Sequence, residues 1–121
     1  MRVSLVTAVA GLLIAGLTPL YAQDWDRAHR IMGKTQEDLH RIERHDRWAQ
    51  ADRGHYDAAE RNLADVQRDL DHNRLDRRRL EDTIREIEFI THVDALDARA
   101  REALNSDARE LHRLRDEWHW R

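Results

Sequence analysis

Histidine is the residue type here with the most chemistry to offer. His29, His40, His45, His55, His72, His92, His112 and His119 all lie after position 22, in a chain without cysteine. Neutral imidazole with carboxylate oxygens can hold zinc, copper or nickel without a thiolate. A helical site would place two histidines three or four residues apart, and no such pair exists. His40 and His45 are five apart, and His112 and His119 are seven apart, two turns away on one face. The segment Gln23-Asp24-Trp25 also lacks the third-position histidine of a terminal copper clamp. The histidines are therefore expected to be solvated, with no metal ligand assigned, and a His/carboxylate metal-binding or metal-sensing protein is the alternative function.

Paired carboxylates can serve as acid and base when a dry pocket raises one of their pKa values. In this chain, however, acids recur about every fourth residue beyond position 22, mostly with an arginine in reach. Ser106 is the one serine after Ala22 and has no nucleophile-elbow sequence around it, while Gly33 and Gly54 stand too isolated for a phosphate loop. No catalytic residue and no cofactor is expected, so the chain reads as a non-enzyme.

Two clusters remain. Arg74, Arg77, Arg78 and Arg79 crowd one helix start, where the helix dipole disfavours cations, which suggests that something anionic lies near them. Asp71, Asp76, Glu81 and Asp82 dilute that charge, and a solvated face is expected. Of the four tryptophans, Trp48 and Trp118 suit a core. Trp120 follows Trp118 by two residues, hence on another face of a continuous helix. The carboxy-terminal run Trp118-His119-Trp120-Arg121 combines the residue types enriched at binding hot spots. Trp118, Trp120 and Arg121 are the expected partner contacts, against the alternative that both indoles fold over the bundle end.

The elements that must position these residues begin with the amino terminus. Arg2, an uncharged run from Val3 to Leu17 and then Thr-Pro-Leu-Tyr-Ala have the three-part order of a secretory signal peptide. Residues 1–22 are read as that peptide, cut between Ala22 and Gln23, and 23–121 as a single helical bundle domain. The expected location is the periplasm or the medium, with no stable membrane insertion after cleavage. The 99 remaining residues carry 24 acidic and 20 basic side chains, a near balance that argues against nucleic acid, which calls for a one-sided basic footprint. Leu, Ile, Val and Phe supply only 17 of the 99, so the core should be thin, and a homodimer would supplement it.

After Pro19 no proline interrupts the chain, and helix is the default. Asp24 to Met32 can form a short helix with Gly33 as its carboxy-terminal cap, and Thr35 can cap the next. That helix should weaken near Gln50 to Gly54. Ile42, Ala49, Tyr56, Leu63 and Leu70 nevertheless fall seven apart, so a coiled-coil-like helix running through Gly54 stays open. Tyr56, Ala59, Leu63, Val66 and Leu70 form the seam of the following helix. Asp71 to Arg74 make a turn with Asn73 at positive φ, and Asp76 caps the next helix. In Leu80 to Val93, Leu80, Ile84, Ile87, Phe89, Ile90 and Val93 spread over more than half the girth, which predicts a central helix covered by several neighbours. Asp94 and Asp97 offer caps for a last helix with face Leu96, Ala100, Leu104, Leu111, Leu114 and Trp118. Asp107 falls on that face, and a polar contact inside the bundle is expected there. Five acid-first pairs four apart support the helices: Glu37 with Arg41, Glu43 with Arg47, Asp57 with Arg61, Glu81 with Arg85, and Asp97 with Arg101.

The segment from Tyr56 to Trp118 resembles a loose pattern of small exported all-helical bacterial proteins of unknown function. The residues that carry it are Leu75-Asp76, Leu80, Ile84, Val93, Leu96, and Arg101 through Leu104, Asp107, Leu111 and Leu114 to Arg115. The resemblance implies an exported helical bundle and no particular activity. The expected protein is an all-α, small antiparallel bundle of three to four helices after a cleaved signal helix. It is expected to bind another exported or envelope protein or an envelope component.

Overall fold

A computed structural model describes the backbone of residues 2–47 and 53–120 and the side chains of residues 24–47 and 53–120. Four helices occur among them: α1 (Arg2–His45), α2 (Arg53–Asp71), α3 (Arg77–Thr91) and α4 (Ala98–Glu117). No strand is present among the described residues, and no helix there is long and apolar enough to cross a membrane. Cross-helix pairs fix the arrangement. Arg27 meets Glu117 and Lys34 meets Asp107 along α1 and α4, while His29 faces Asp71 and His40 faces Glu60 along α1 and α2. Arg79 faces Asp69 and His55 faces Glu86 on the α2–α3 seam, and His112 reaches Glu88 on the α3–α4 seam. Each seam is antiparallel, and each helix packs on two others in the closed order α1, α2, α3, α4, α1.

This closed square corrects the central-helix expectation. Leu80, Ile84, Ile87 and Ile90 of α3 are fully buried, but Phe89 is 47% exposed and Val93 only half-buried. The helix α1 occupies the opposite corner, so α3 needs cover from α2 and α4 alone and its buried stripe is narrower than the sequence suggests. In α2 the seam is as read: Tyr56, Ala59, Leu63, Val66 and Leu70 are all buried. Burying a Leu or Ile side chain contributes about 1.5–3 kcal/mol, which is how a short list of large apolar residues closes the bundle.

Nor does the chain break at Gly33. Ala28, Ile31, Met32, Leu39 and Ile42 form one buried stripe that passes straight through it, and no described glycine has a positive φ. A mid-helix glycine costs about 1 kcal/mol relative to alanine, less than the burial of Ile31, Met32, Leu39 or Ile42 alone, at about 1.5–3 kcal/mol each. Thr35, expected as a cap, lies inside the helix, fully buried, and its hydroxyl donates to the Ile31 carbonyl at 2.8 Å.

The interruption comes at Asp46, where α1 ends, so a helix running unbroken through to Gly54 is excluded. Gly54 itself is in the first turn of α2, while Trp48, Ala49 and Gln50 lie outside the described residues. Asp46 is buried and its Oδ2 accepts from the Asp97 amide at 3.1 Å, tying the end of α1 to the start of α4.

The turns follow local chemistry. Asn73 has φ 57°, and Asp76 caps α3 by accepting from the Arg79 amide at 3.0 Å. Asp97 caps α4, accepting from the Arg99 and Ala100 amides at 3.1 and 3.4 Å. Such caps contribute about 0.5–2 kcal/mol each.

The five acid-first pairs are replaced by other partners. Arg41 takes Asp38, Arg85 takes Asp82, Glu81 takes Arg77, and both Glu43 and Asp57 take Arg53. Arg101, expected to pair with Asp97, instead donates to the carbonyls of Thr91 and Val93 at 3.0 and 2.7 Å and to Leu96 at 3.3 Å. Carbonyls at a helix end have no partner within the helix, so a fixed guanidinium fork gains more there than in an exposed ion pair.

Candidate functional site

At one end of the bundle, the stretch of α1 around Asp24 and Trp25, the α2–α3 turn and the carboxy-terminal segment meet around a concavity of about 720 Å³. Trp25, Leu75, Trp118 and Trp120 line it together with Asp24, Asp76, Arg77 and Arg78. The Trp25 and Trp118 rings meet edge to face, with centroids 4.9 Å apart and planes at 80°. That T-shaped geometry is favoured by the ring quadrupoles. The Arg27–Glu117 ion pair, at 2.6 Å, joins the same two helices close by.

The structure places Trp118 and Trp120 together, with ring centroids 6.4 Å apart. Helical spacing would separate them, but α4 stops at Glu117 and Trp118 takes an extended backbone, φ −75° and ψ 142°. The chain therefore turns back over the bundle end. Trp120 is half-buried there. Its Nε1 donates to the Arg115 carbonyl at 2.8 Å, one of the carbonyls left over at the end of α4, and the Arg77 guanidinium lies 5.8 Å from its ring centroid. Arg121, the third expected contact, lies outside the described residues. The arginine cluster is thus split by partner: Arg77 reaches Glu81, Arg79 reaches Asp69, and Arg78 sits at the rim of the concavity. Trp25, Leu75 and the Arg77–Trp120 contact escaped the sequence reading, because nothing local connects a residue at position 25 with one at 118.

Midway along the α1–α4 seam is a buried polar group built on Asp107. Asp107 is 2% exposed and Asp38 7%. Lys34 Nζ donates to Asp107 Oδ1 at 2.8 Å and to Asp38 Oδ2 at 3.0 Å, and Arg41 approaches Asp38 Oδ1 at 3.4 Å. As a carboxylate, Asp107 leaves its buried Oδ2 with no hydrogen bond. A proton on Asp107, donated to Asp38, would satisfy it. Burial first, and then the Asp38 carboxyl, push Asp107 up to about 7 against the opposing pull of Lys34. Burial would raise Asp38 too, but hydrogen bonds from Asp107 and Lys34 and the charges of Lys34 and Arg41 outweigh it and hold that carboxyl below 3.8. Two carboxyls with their affinities for a proton driven apart are the arrangement acid–base catalysis uses. Asp107, however, lines neither the tryptophan concavity nor the one of about 750 Å³ between the end of α1 and the start of α4, which Asp38 and Arg41 border. Its evident consequence is for stability and charge, through the contacts with Lys34 and Asp38. The sequence places a polar contact at Asp107, as found. Asp38, which the spacing from Thr35 suggests as part of a helix cap, carries the same signal, an acid on an apolar stripe between Thr35 and Ile42.

The histidines spread over the seams. His29, His40, His55 and His112 each face one carboxylate on a neighbouring helix, at 4.0, 3.3, 3.7 and 3.1 Å, and His55 also stacks on Phe89. Among the described residues no group of three or more His, Asp or Glu side chains comes together as a metal ion would require. Ala22 and Gln23, the expected cleavage residues, lie within α1, and their side chains are outside the described set. Set against protein-family models, curated proteins and solved structures, the chain matches no family, no curated protein and no solved structure.

Proposed function

We propose that the protein is an exported, non-enzymatic helical bundle that binds another exported or envelope protein or envelope component through its tryptophan-lined end. In this reading residues 1–22 are removed between Ala22 and Gln23, and the remaining bundle acts in the periplasm or the medium. The observation that supports the binding role is the convergence of Trp25, Trp118 and Trp120 with Arg77 and Arg78 in one concavity, drawn from α1, the first turn of α3 and the carboxy-terminal segment. Rings already held by a hydrogen bond, an edge-to-face contact and a guanidinium lose little further freedom when a partner docks. Export is supported by the charged start, apolar run and small residue of the amino-terminal sequence.

The test is crosslinking in cells followed by capture of the protein, comparing the unaltered chain with Trp120→Ala. The expected result is a set of envelope partners recovered with the first and lost with the second, from a protein whose sequenced amino terminus is Gln23. Retention of Met1, or a partner list indifferent to the substitution, would refute the corresponding half of the reading.

A further inference from the structure

We propose that the tryptophan-lined concavity is a site for a small amphiphile with one acid group on an apolar body, the body against Trp25, Leu75 and Trp118 and the acid group at Arg78. The proposal rests on the binding role given above and names what is bound.

Size is the first argument. At about 720 Å³ the concavity falls within the range of about 300–1,000 Å³ that holds small molecules, and its walls are divided between indoles and charged groups. An occupant matching both must itself be part apolar and part charged. The sign of that charge follows from how the charged groups are already used. Asp76 is engaged by the Arg79 amide, and Asp24 is the one carboxylate among the named walls with no partner among the described residues. Arg77 is shared between Glu81, at 3.6 Å, and the Trp120 ring. Arg78, exposed at the rim between Arg77 and Arg79, has no carboxylate partner among the described residues.

A cationic ligand fits this site badly. An aromatic cage binds a cation over an open ring face, and here the Arg77 guanidinium already lies over Trp120. An acid group meets the reverse situation: a free fork of guanidinium donors at the rim, with a second guanidinium beside it and apolar wall behind.

The experiment titrates the purified protein with dodecanoate below its micelle concentration, followed by calorimetry and tryptophan fluorescence. Parallel titrations use dodecyltrimethylammonium and vesicles containing phosphatidylglycerol. The expected result is saturable one-to-one binding of dodecanoate, weakened at least about tenfold by Arg78→Gln, the scale of one charge-assisted hydrogen bond. Arg78 is exposed, and an unchanged melting curve for the variant would exclude misfolding as the cause. Leu75→Asp, which places a like charge in the apolar wall, should weaken binding of the same probe. Equal binding of the cationic amphiphile, or indifference to Arg78→Gln, would overturn the proposal. Binding to vesicles without binding of dodecanoate would overturn it as well, in favour of a membrane surface. If dodecanoate fails to bind while crosslinked partners still depend on Trp120, the proposal falls and the binding role stands.

Discussion

Replacing Asp107 by Asn should abolish most of the pH dependence of stability between about pH 4 and 7. The amide keeps one oxygen for Lys34 Nζ, 2.8 Å away, and offers Asp38 the donor that Asp107 supplies only when protonated. In the unfolded chain Asp107 loses its proton near 3.8, whereas in the bundle it holds it up to about 7. Over that window the folded state binds one more proton than the unfolded state, so stability falls as pH rises, at up to about 1.4 kcal/mol per pH unit. About three units give an upper bound of about 4 kcal/mol for the whole window. Asp38 does not cancel this. Its folded value lies below 3.8, so its contribution is present above that pH and is lost only as pH falls through the folded value. The assay is urea unfolding followed by circular dichroism at pH 5, 6, 7 and 8, for the protein and for Asp107→Asn. The unaltered protein should lose stability relative to the variant at each step up to pH 7 and then level off. A relative change of about 2 kcal/mol corresponds to about 10 °C in Tm for a domain of this size. A difference between the two proteins that stays constant from pH 5 to 8 would refute the shared proton.

Gly33→Ala discriminates the continuous α1 from a helix ending at Gly33: nothing lies within 4 Å of an added Cβ, so thermal melts should show a gain of about 0.5–1 kcal/mol, whereas a left-handed cap would give a loss. Ile87→Ala should cost about 2–5 kcal/mol in chemical denaturation, since Ile87 is fully buried, while Arg85→Ala on the exposed face should cost under about 0.5 kcal/mol. Arg101→Ala should cost about 1.5–3 kcal/mol by removing charged donors from several loop carbonyls, and Arg101→Lys should recover only part of it, because an ammonium cannot present the same planar fork; equal stability of the two variants would count against that role.

The helical class, the α2 seam and the turn chemistry were legible in the sequence because each is a local matter. Apolar residues three and four apart specify a buried stripe, Asn73 tolerates a positive φ, and Asp76 and Asp97 reach amides two or three residues on. Asp107 was legible for the same reason, as a charge on an apolar face. What surrounds it was decided only by packing, since Lys34 and Asp38 come from a helix more than sixty residues away in the chain. Burial on the bundle also carried α1 through Gly33, against a local preference worth about 1 kcal/mol. The exposed pairs four apart, at about 0.2–0.5 kcal/mol each, were too weak to hold arginines that found acids across a seam or carbonyls at a helix end. Likewise, Trp118 and Trp120 share one surface because α4 ends between its periodic face and the terminus, so helical spacing no longer governs where the second ring points. Local spacing fixes which residues face inward, while the relative placement of four helices, summed over many small burials, decides which of them meet.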